Sequence, residues 1–273
     1  MDILFYQDKK TIGIVDDSTD YLRRNLETKG FNIDLETEEI PREGYDWIFN
    51  RFERPTEEFL IKMKGDNIIN PGNNILDHAS KYHLLLFPEL TTQTIITDDV
   101  NLGLDFMKEY KNIIIKPVGE FGGKGVKKIY YQKKDYDNIK LELENRISKG
   151  EEFVFQRYID NVEKLGDKRI NIVFYEPVSC VLRKPMQGSF ICNLSSGGSM
   201  QRAELNKRDY EIIEAVTPFL KANNLNWVGM DVIGNYLTEL NLKCPGMVYE
   251  ADHINGNKLG LESMIAGLTN SKY

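Results

Sequence analysis

The segment Asp231-Val-Ile-Gly-Asn-Tyr-Leu-Thr-Glu239-Leu-Asn241 constrains this chain more than any other. Branched apolar residues flank a central Gly-Asn pair, the pattern of two short strands joined by a tight turn. Residues two apart on a strand share a face, so Glu239 and Asn241 point the same way. Asp231, just before the turn, can face them from the paired strand. Two carboxylates and a carboxamide converging from adjacent strands suit a hard cation such as Mg2+. Mg2+ bound by few protein groups usually completes its shell with phosphate oxygens, so this segment predicts a nucleotide-dependent enzyme.

A second feature points to phosphate. Ile113-Ile-Ile-Lys-Pro117 reads as a buried strand, Val118-Gly-Glu-Phe-Gly-Gly-Lys-Gly125 as its tip, and Val126-Lys-Lys-Ile-Tyr-Tyr131 as a returning strand. Glycines let backbone N–H groups close on an anion without obstruction. Lys116 and Lys124 add positive charge. GxxxxGK[ST] is absent and a strand follows the loop, so this is a strand-loop-strand lid and not a Walker loop. A plain surface hairpin is the competing reading of this loop taken alone. The strand Glu152-Phe-Val-Phe-Gln156-Arg-Tyr158 can offer backbone groups to an adenine edge, with Gln156 adding a side-chain contact.

The remaining pattern predicts an α/β chain, α+β in its later part. Strands are expected at Thr11–Val15, 31–35, 46–50 and 67–71, with a helix from the Asp17/Ser18 cap to Gly30. This order implies a small parallel sheet. Next come a helix from Asp77 to Phe87, a strand at Thr94–Thr97, a helix over 98–110, the glycine hairpin, and a helix over 135–149. Strands over 153–158, 169–174 and 178–182, a helix over 209–223, the acidic hairpin and a helix over 259–267 complete the chain.

At 273 residues the chain has room for one to three compact units. A net charge of −7 argues against a nucleic-acid binder working by broad phosphate neutralisation. No apolar run reaches about 18 residues and no signal peptide is legible, so neither membrane insertion nor export is expected. Cys180, Cys192 and Cys244 show no CxxC spacing and suggest reduced thiols in a cytoplasmic protein. The three histidines read as structural or surface residues, and Cys244 as packing.

These residues resemble the ATP-grasp superfamily, and more closely prokaryotic glutathione synthetases, over about Asp46 to Gly267. The glycine hairpin is similar to the family's I-L-K-P-x-x-G-x-G-G-x-G-I. Gly166-Asp-Lys-Arg169 matches G-D-K-R, and Glu176-Pro-Val resembles part of G-E-P-V-P. Asn193-Leu-Ser-Ser-Gly-Gly198 resembles N-L-A-A-G-G. Trp227-Val-Gly-Met-Asp231-Val-Ile-Gly and Leu237-Thr-Glu-Leu-Asn241 resemble F-V-G-L-D-V-I-G and L-T-E-I-N. The stretch from His78 to Thr94 is similar to N-E-K-L followed by F-P-x-L-x-P-x-T.

The resemblance implies an ATP-grasp fold in three units: a substrate domain over 1–75, a lid domain over 76–155 and a catalytic domain over 156–273. It implies that Lys81 and Lys116 contact ATP phosphates, Lys116 also reaching the adenine side. Gly122 and Gly123 belong to the lid. Gln156 and Tyr158 flank adenine, and Asp167 reaches the ribose. Arg169 steadies an acyl phosphate, with Arg183 and Asn193 nearby. Asp231, Glu239 and Asn241 hold two Mg2+, with Mn2+ as the alternative ion. Arg51, Gly197 and Gly198 fall where the family surrounds its substrates.

The implied reaction activates a small-molecule or peptide carboxylate with ATP, then captures it with an amine; the protein supplies positioning and charge. The implied assembly is a homodimer or tetramer. Three departures bear on substrate choice: a shorter N-terminal part, Ile191 and Ser199 where the family carries arginines, and Lys243-Cys-Pro-Gly-Met247 in place of T-S-P-T-G. Arg202 is the nearest candidate to replace the lost cations. γ-Glutamylcysteine with glycine is the leading substrate pair. A ligase for another peptide, protein tail or natural-product acid is the alternative. A non-catalytic ATP-binding module is the third reading, and it would be expected to lack a metal ligand or the G-D-K-R arginine.

Overall fold

The computed structural model describes residues 1–14, 17–120 and 122–270. The first sheet comprises β1 (Asp2–Gln7), β2 (Asn32–Glu36), β3 (Trp47–Arg51) and β4 (Ile68–Ile69), in the order β2-β1-β3-β4. Every pair in it is parallel. Three helices accompany it: α1 (Ser18–Thr28), α2 (Glu57–Lys62) and α3 (Gly72–His78). α1 starts where Asp17 accepts hydrogen bonds from the Thr19 and Asp20 N–H groups, as a short acidic cap should.

The first strand differs from the sequence expectation. It is Asp2–Gln7, and Lys9–Thr11 form a 3₁₀ turn where Thr11–Val15 promised a strand; Val15 lies outside the described residues. β1 is covered on both faces, so it reads as a continuous apolar run instead of alternating. The helix expected over Asp77–Phe87 is also divided. α3 ends at His78, and a 3₁₀ turn of Lys81–Leu86 follows.

The second sheet is antiparallel, in the order β5-β8-β6-β7. Its strands are β5 (Thr94–Thr97), β6 (Asn112–Pro117), β7 (Lys127–Tyr130) and β8 (Phe153–Arg157). α4 (Val100–Tyr110) and α5 (Tyr136–Ile147) bury Leu104, Phe106, Met107 and Leu143 with the sheet's Ile113, Ile115, Phe153 and Phe155. Gly103 allows the close approach of α4: a Cβ there would lie 2.4 Å from the Phe155 ring.

α6 (Val162–Leu165) leads into the third sheet, β9 (Asp167–Val173), β10 (Glu176–Lys184), β11 (Ser199–Arg202), β12 (Trp227–Ile233) and β13 (Tyr236–Asn241). Their order is β11-β10-β9-β12-β13, antiparallel throughout. α7 (Lys207–Ala222) begins with a reciprocal Asn206–Asp209 capping box. Its Ile212, Ile213, Val216 and Leu220 pack on Ile170, Ile172, Met230, Val232 and Leu240. α8 (Val248–Asn255), absent from the sequence reading, and α9 (Leu259–Asn270) complete the chain. Among the described residues no helix is long and apolar enough to cross a membrane.

The first and third sheets share a core of Phe5, Trp47, Phe49, Val173, Trp227, Leu261 and Met264. Asn70 fastens the same junction. Its amide nitrogen donates to the Trp227 and Leu242 carbonyls at 2.7 and 2.8 Å, and its oxygen accepts the Trp227 N–H at 3.0 Å. The cleft that the second sheet forms with the third is thereby placed beside the first.

Candidate active site

Period-2 alternation sorts the third sheet into an apolar face toward α7 and a polar face toward the cleft. Asp167, Arg169 and Asn171 of β9 and Gly229 and Asp231 of β12 share the polar face. Arg169, Asp231 and Glu239 are direct neighbours across three strands. The β12–β13 register slips between Asp231 and Val232, the kind of bulge that re-aims side chains at a site.

Behind these residues lies an alternating chain of charge. Arg169 Nε donates to Asp231 Oδ1 at 2.5 Å and Nη2 to Oδ2 at 3.2 Å. Arg183 bridges Asp231 Oδ2, at 3.1 Å, and Asp167. Burial alone would raise the Asp231 pKa, but Arg169 and Arg183 outweigh it and hold the carboxyl at about 2. At Asp167 burial prevails, helped by the Asp231 charge; Arg183 opposes it, and the pKa is pushed up to about 7. The arginines therefore keep Asp231 ionised, while burial decides the state of Asp167. Arg169, expected to steady an acyl phosphate, and Arg183, expected near it, both pair with Asp231 at the wall of the cleft. Ion pairing inside the sheet turns both guanidinium groups toward Asp231.

Asn241 donates from Nδ2 to the Gly229 carbonyl at 3.1 Å and to Asp231 Oδ2 at 3.2 Å. That leaves its carboxamide oxygen for a cation. With the oxygens of Asp231 and Glu239 it forms a hard donor set of the kind Mg2+ takes, and the residues fit that ion.

The cleft encloses about 830 Å³, counting the solvent at its mouth. It gathers Lys116, Gly122, Gly123, Gln156, Tyr158, Asp167, Asn193, Asp231 and Glu239 from segments far apart in sequence. Its inner end is apolar: Ile114, Val126, Tyr158, Val162, Phe190, Cys192 and Ile233 cluster there. Lys128 Nζ sits 3.6 Å from the Tyr158 ring centroid. This slot has the chemistry of a site for a flat base. Sequence reading missed Ile114, Val126, Val162, Phe190 and Ile233, since isolated apolar residues carry no signal of which cavity they line.

The Gln156 side chain lines the cleft and is engaged within the protein. Its oxygen accepts from Lys116 Nζ at 2.9 Å, and its nitrogen donates to the Thr91 and Thr94 hydroxyls, each at 2.9 Å. It thereby holds Lys116 in place. Burial lowers the Lys116 pKa, and Glu239 opposes that shift. Lys81 is likewise lowered by burial and opposed by Glu239. Lys81 donates to the lid carbonyls of Val118 and Glu120, at 3.2 and 2.5 Å.

The lid tip needs its glycines. Gly122, Gly123 and Gly125 have φ of 66°, 78° and 69°, a region where side chains are strained. A Cβ on Gly123 would lie 2.9 Å from the Asn193 amide nitrogen, so the tip sits directly on the loop that follows β10. On that loop a Cβ on Gly198 would lie 2.6 Å from the Cys192 carbonyl oxygen; Gly197 adopts φ 81°. These two glycines shape the turn below the lid.

A second pocket of about 850 Å³ adjoins the first and shares Gly122 and Glu239 with it. Glu53, Arg54, Lys124, Asn241, Lys243 and Cys244 line it. Arg51, the expected substrate residue, is elsewhere. It is buried, donating to Thr19 Oγ1 at 3.1 Å and the Pro245 carbonyl at 2.7 Å, with its guanidinium 4.0 Å from the Trp227 ring centroid. It braces the 243–247 loop, and Arg54, three residues on, is the arginine that reaches the pocket. Arg202, the expected replacement for a lost cation, pairs with Glu204 at the surface. The Cys244 thiol, raised by burial, lies 3.5 Å from the Arg51 carbonyl, as packing requires.

Solved structures of similar fold include D-cycloserine synthetase DcsG, with a TM-score of 0.71 at 15% identity over 97% of this chain and 99% of that one. Another is D-alanine–D-alanine ligase from Bacillus anthracis, with a TM-score of 0.61 at 16% identity over 98% and 97%. The fold is ATP-grasp, and the family match places the chain among the ADP-forming carboxylate–amine ligases of that class. The family profile described as "Prokaryotic glutathione synthetase, ATP-grasp domain" matches residues 80–256. The chain is 34% identical to the glutathione synthetase of Nitrosomonas europaea, over 82% of this chain and 72% of that protein. It is 35% identical to that of Thermosynechococcus vestitus, over 75% and 64%. The chain belongs to the prokaryotic glutathione synthetase ATP-grasp family.

Proposed function

We propose that this protein joins a small peptide carboxylate to an amine at the cost of ATP, with γ-glutamylcysteine and glycine as the substrate pair. The observation that carries the reading is the shared wall: Glu239 and Gly122 border both the cleft with the apolar base slot and the cation-lined second pocket. Phosphates entering from the first would end where a carboxylate in the second begins. The units 1–75, 76–155 and 156–273 then serve as substrate, lid and catalytic domains, although β8 runs to Arg157 and a boundary after that residue keeps the strand whole.

Asp231, Glu239 and Asn241 would hold two Mg2+, or Mn2+ in their place. Bound there, the metal would neutralise phosphate charge and serve as a template for the transfer. The chain's own groups do the rest. The slot orients the base, with Tyr158 as one wall, and Asp167 faces the ribose. Lys116, fixed by Gln156, and Lys81 place positive charge where the transferred phosphate gains electron density. Arg169 and Arg183 keep Asp231 ionised and aimed. Arg54, Lys124 and Lys243 draw the acid into the second pocket, with Asn193, Gly197 and Gly198 shaping the floor. The lid glycines, seated on Asn193, exclude water that would otherwise hydrolyse the activated acid. We place the protein in the cytoplasm as a homodimer or tetramer.

A second reading has its own support. Ile191 lines the cleft where the family carries a cation, and Lys243 adds one in the neighbouring pocket. Those changes favour a different peptide or natural-product acid. Phosphate release from ATP and Mg2+, with γ-glutamylcysteine and glycine added singly and together, separates the two readings. Release that needs both, with a product of glutathione mass, establishes the first. Nucleotide binding without stimulation excludes that pair and directs the search to other acids.

A further inference from the structure

β13 is an edge strand: it pairs with β12 on one side only. An edge strand leaves a row of backbone groups to be satisfied from elsewhere. Here the segment after α3 covers that edge. Leu237 N–H donates to the Leu90 carbonyl at 2.8 Å, and Leu240 N–H donates to His83 Nε2 at 3.0 Å. His83 is 2% exposed, and its Nδ1 lies 3.3 Å from the His78 carbonyl. That carbonyl accepts a hydrogen bond from Nδ1–H, which fixes the tautomer with Nε2 as the acceptor.

Leu240 sits between Glu239 and Asn241. Its side chain belongs to the α7 core, so its two neighbours project from the opposite face of the strand. One bond at the Leu240 amide therefore fixes both side chains together. We propose that His83 is a positioning residue for the cation site, holding the β13 backbone so that Glu239 and Asn241 are presented as a pair. The inference rests on reading those two residues as cation ligands. It goes beyond that reading by assigning a role to a residue outside the cleft lining. Outer-shell partners that orient metal ligands typically change metal affinity about 10- to 100-fold when lost, and His83 acts on the two ligands through the Leu240 backbone.

The test uses Mn2+ binding in the presence of ADP, followed by the electron paramagnetic resonance of free Mn2+. His83→Phe keeps the ring volume and removes the acceptor; His83→Gln restores an acceptor. The expected result is an Mn2+ Kd raised about 10-fold or more in His83→Phe and returned to within about threefold of wild type in His83→Gln. ADP affinity without metal should change less than about twofold in both. Wild-type Mn2+ affinity in a folded His83→Phe protein overturns the proposal, as does equal weakening in both variants. Hydrogen exchange at the Leu240 amide of the wild-type protein needs no variant. Protection comparable to the sheet interior supports the bond, and exchange at the rate of an exposed edge amide overturns it. Glu239→Gln is measured alongside. If it leaves Mn2+ binding intact, the ligand reading itself fails, whatever His83 does.

Discussion

Gly229 lies on β12 directly opposite Asn241, and its carbonyl accepts the Asn241 amide. A Cβ added there would fall 2.9 Å from Arg169 Nη1 and 3.3 Å from Arg169 Cδ and Cζ. Ordinary contact needs about 3.5–4.0 Å, so in Gly229→Ala the guanidinium must retreat by several tenths of an ångström or more. Its two bonds to Asp231 cannot both survive that shift. A hydrogen bond to a charged group contributes about 1.5–3 kcal/mol, and each 1.4 kcal/mol is a tenfold change in rate, so losing one lowers kcat/KM about 10- to 100-fold. Overpacking costs a further 1–3 kcal/mol or so of stability, which for a chain of this size lowers Tm by roughly 2–10 °C. The comparison is Gly246→Ala, where the added methyl meets nothing within 4 Å. ADP release and thermal melts on both variants check the expectation. Wild-type activity in Gly229→Ala, or equal losses in the two, would refute the reasoning.

Arg183→Met removes a cation that serves Asp167 and Asp231 together; unfolding in denaturant should show a loss of about 3–5 kcal/mol, since one partner of a buried network is left uncompensated. Lys243→Met takes a cation from the second pocket, and steady-state kinetics should show KM for the acid rising about tenfold while KM for ATP stays within about twofold. His83 supplies a pH dependence. Burial, chiefly, lowers its pKa from 6.5 to about 4, and the Lys81 and Lys116 charges add to the effect while the His78 and Ser80 backbone opposes it. The unfolded chain then binds a proton that the folded one refuses. Its contribution to stability is complete above pH 6.5 and falls by about 3 kcal/mol as pH drops toward 4. Denaturant midpoints for wild type and His83→Gln should diverge across that window, and parallel pH curves would sink the assignment.

Much of the site was legible because hairpins carry their own register. The Gly-Asn turn and the alternation around it place Asp231 opposite Glu239, which the structure reproduces as a direct cross-strand pair. Glycine spacing likewise marked the turn between β6 and β7. What escaped the sequence depends on long-range register or on burial. No local pattern says that Arg169 pairs with Asp231 and Arg183 with both Asp231 and Asp167, because β9, β10 and β12 meet only in the folded sheet. Arg51 and Arg54 look equivalent in Arg51-Phe-Glu-Arg54; the end of β3 at Arg51 buries the first and leaves the second in the loop. β1 was missed for the opposite reason, since a strand covered on both faces loses the alternation that announces strands.

The two bonds from Lys81 to the lid carbonyls have a consequence for ligand selection. The tip of the glycine hairpin is latched by a residue of the 81–86 turn, outside the hairpin itself. A molecule that lifts the lid must offer that ammonium oxygens at least as good as two peptide carbonyls. Phosphates do so, and an uncharged nucleoside of the same shape does not. The latch thus favours ligands that carry a phosphate tail over uncharged ones of the same shape.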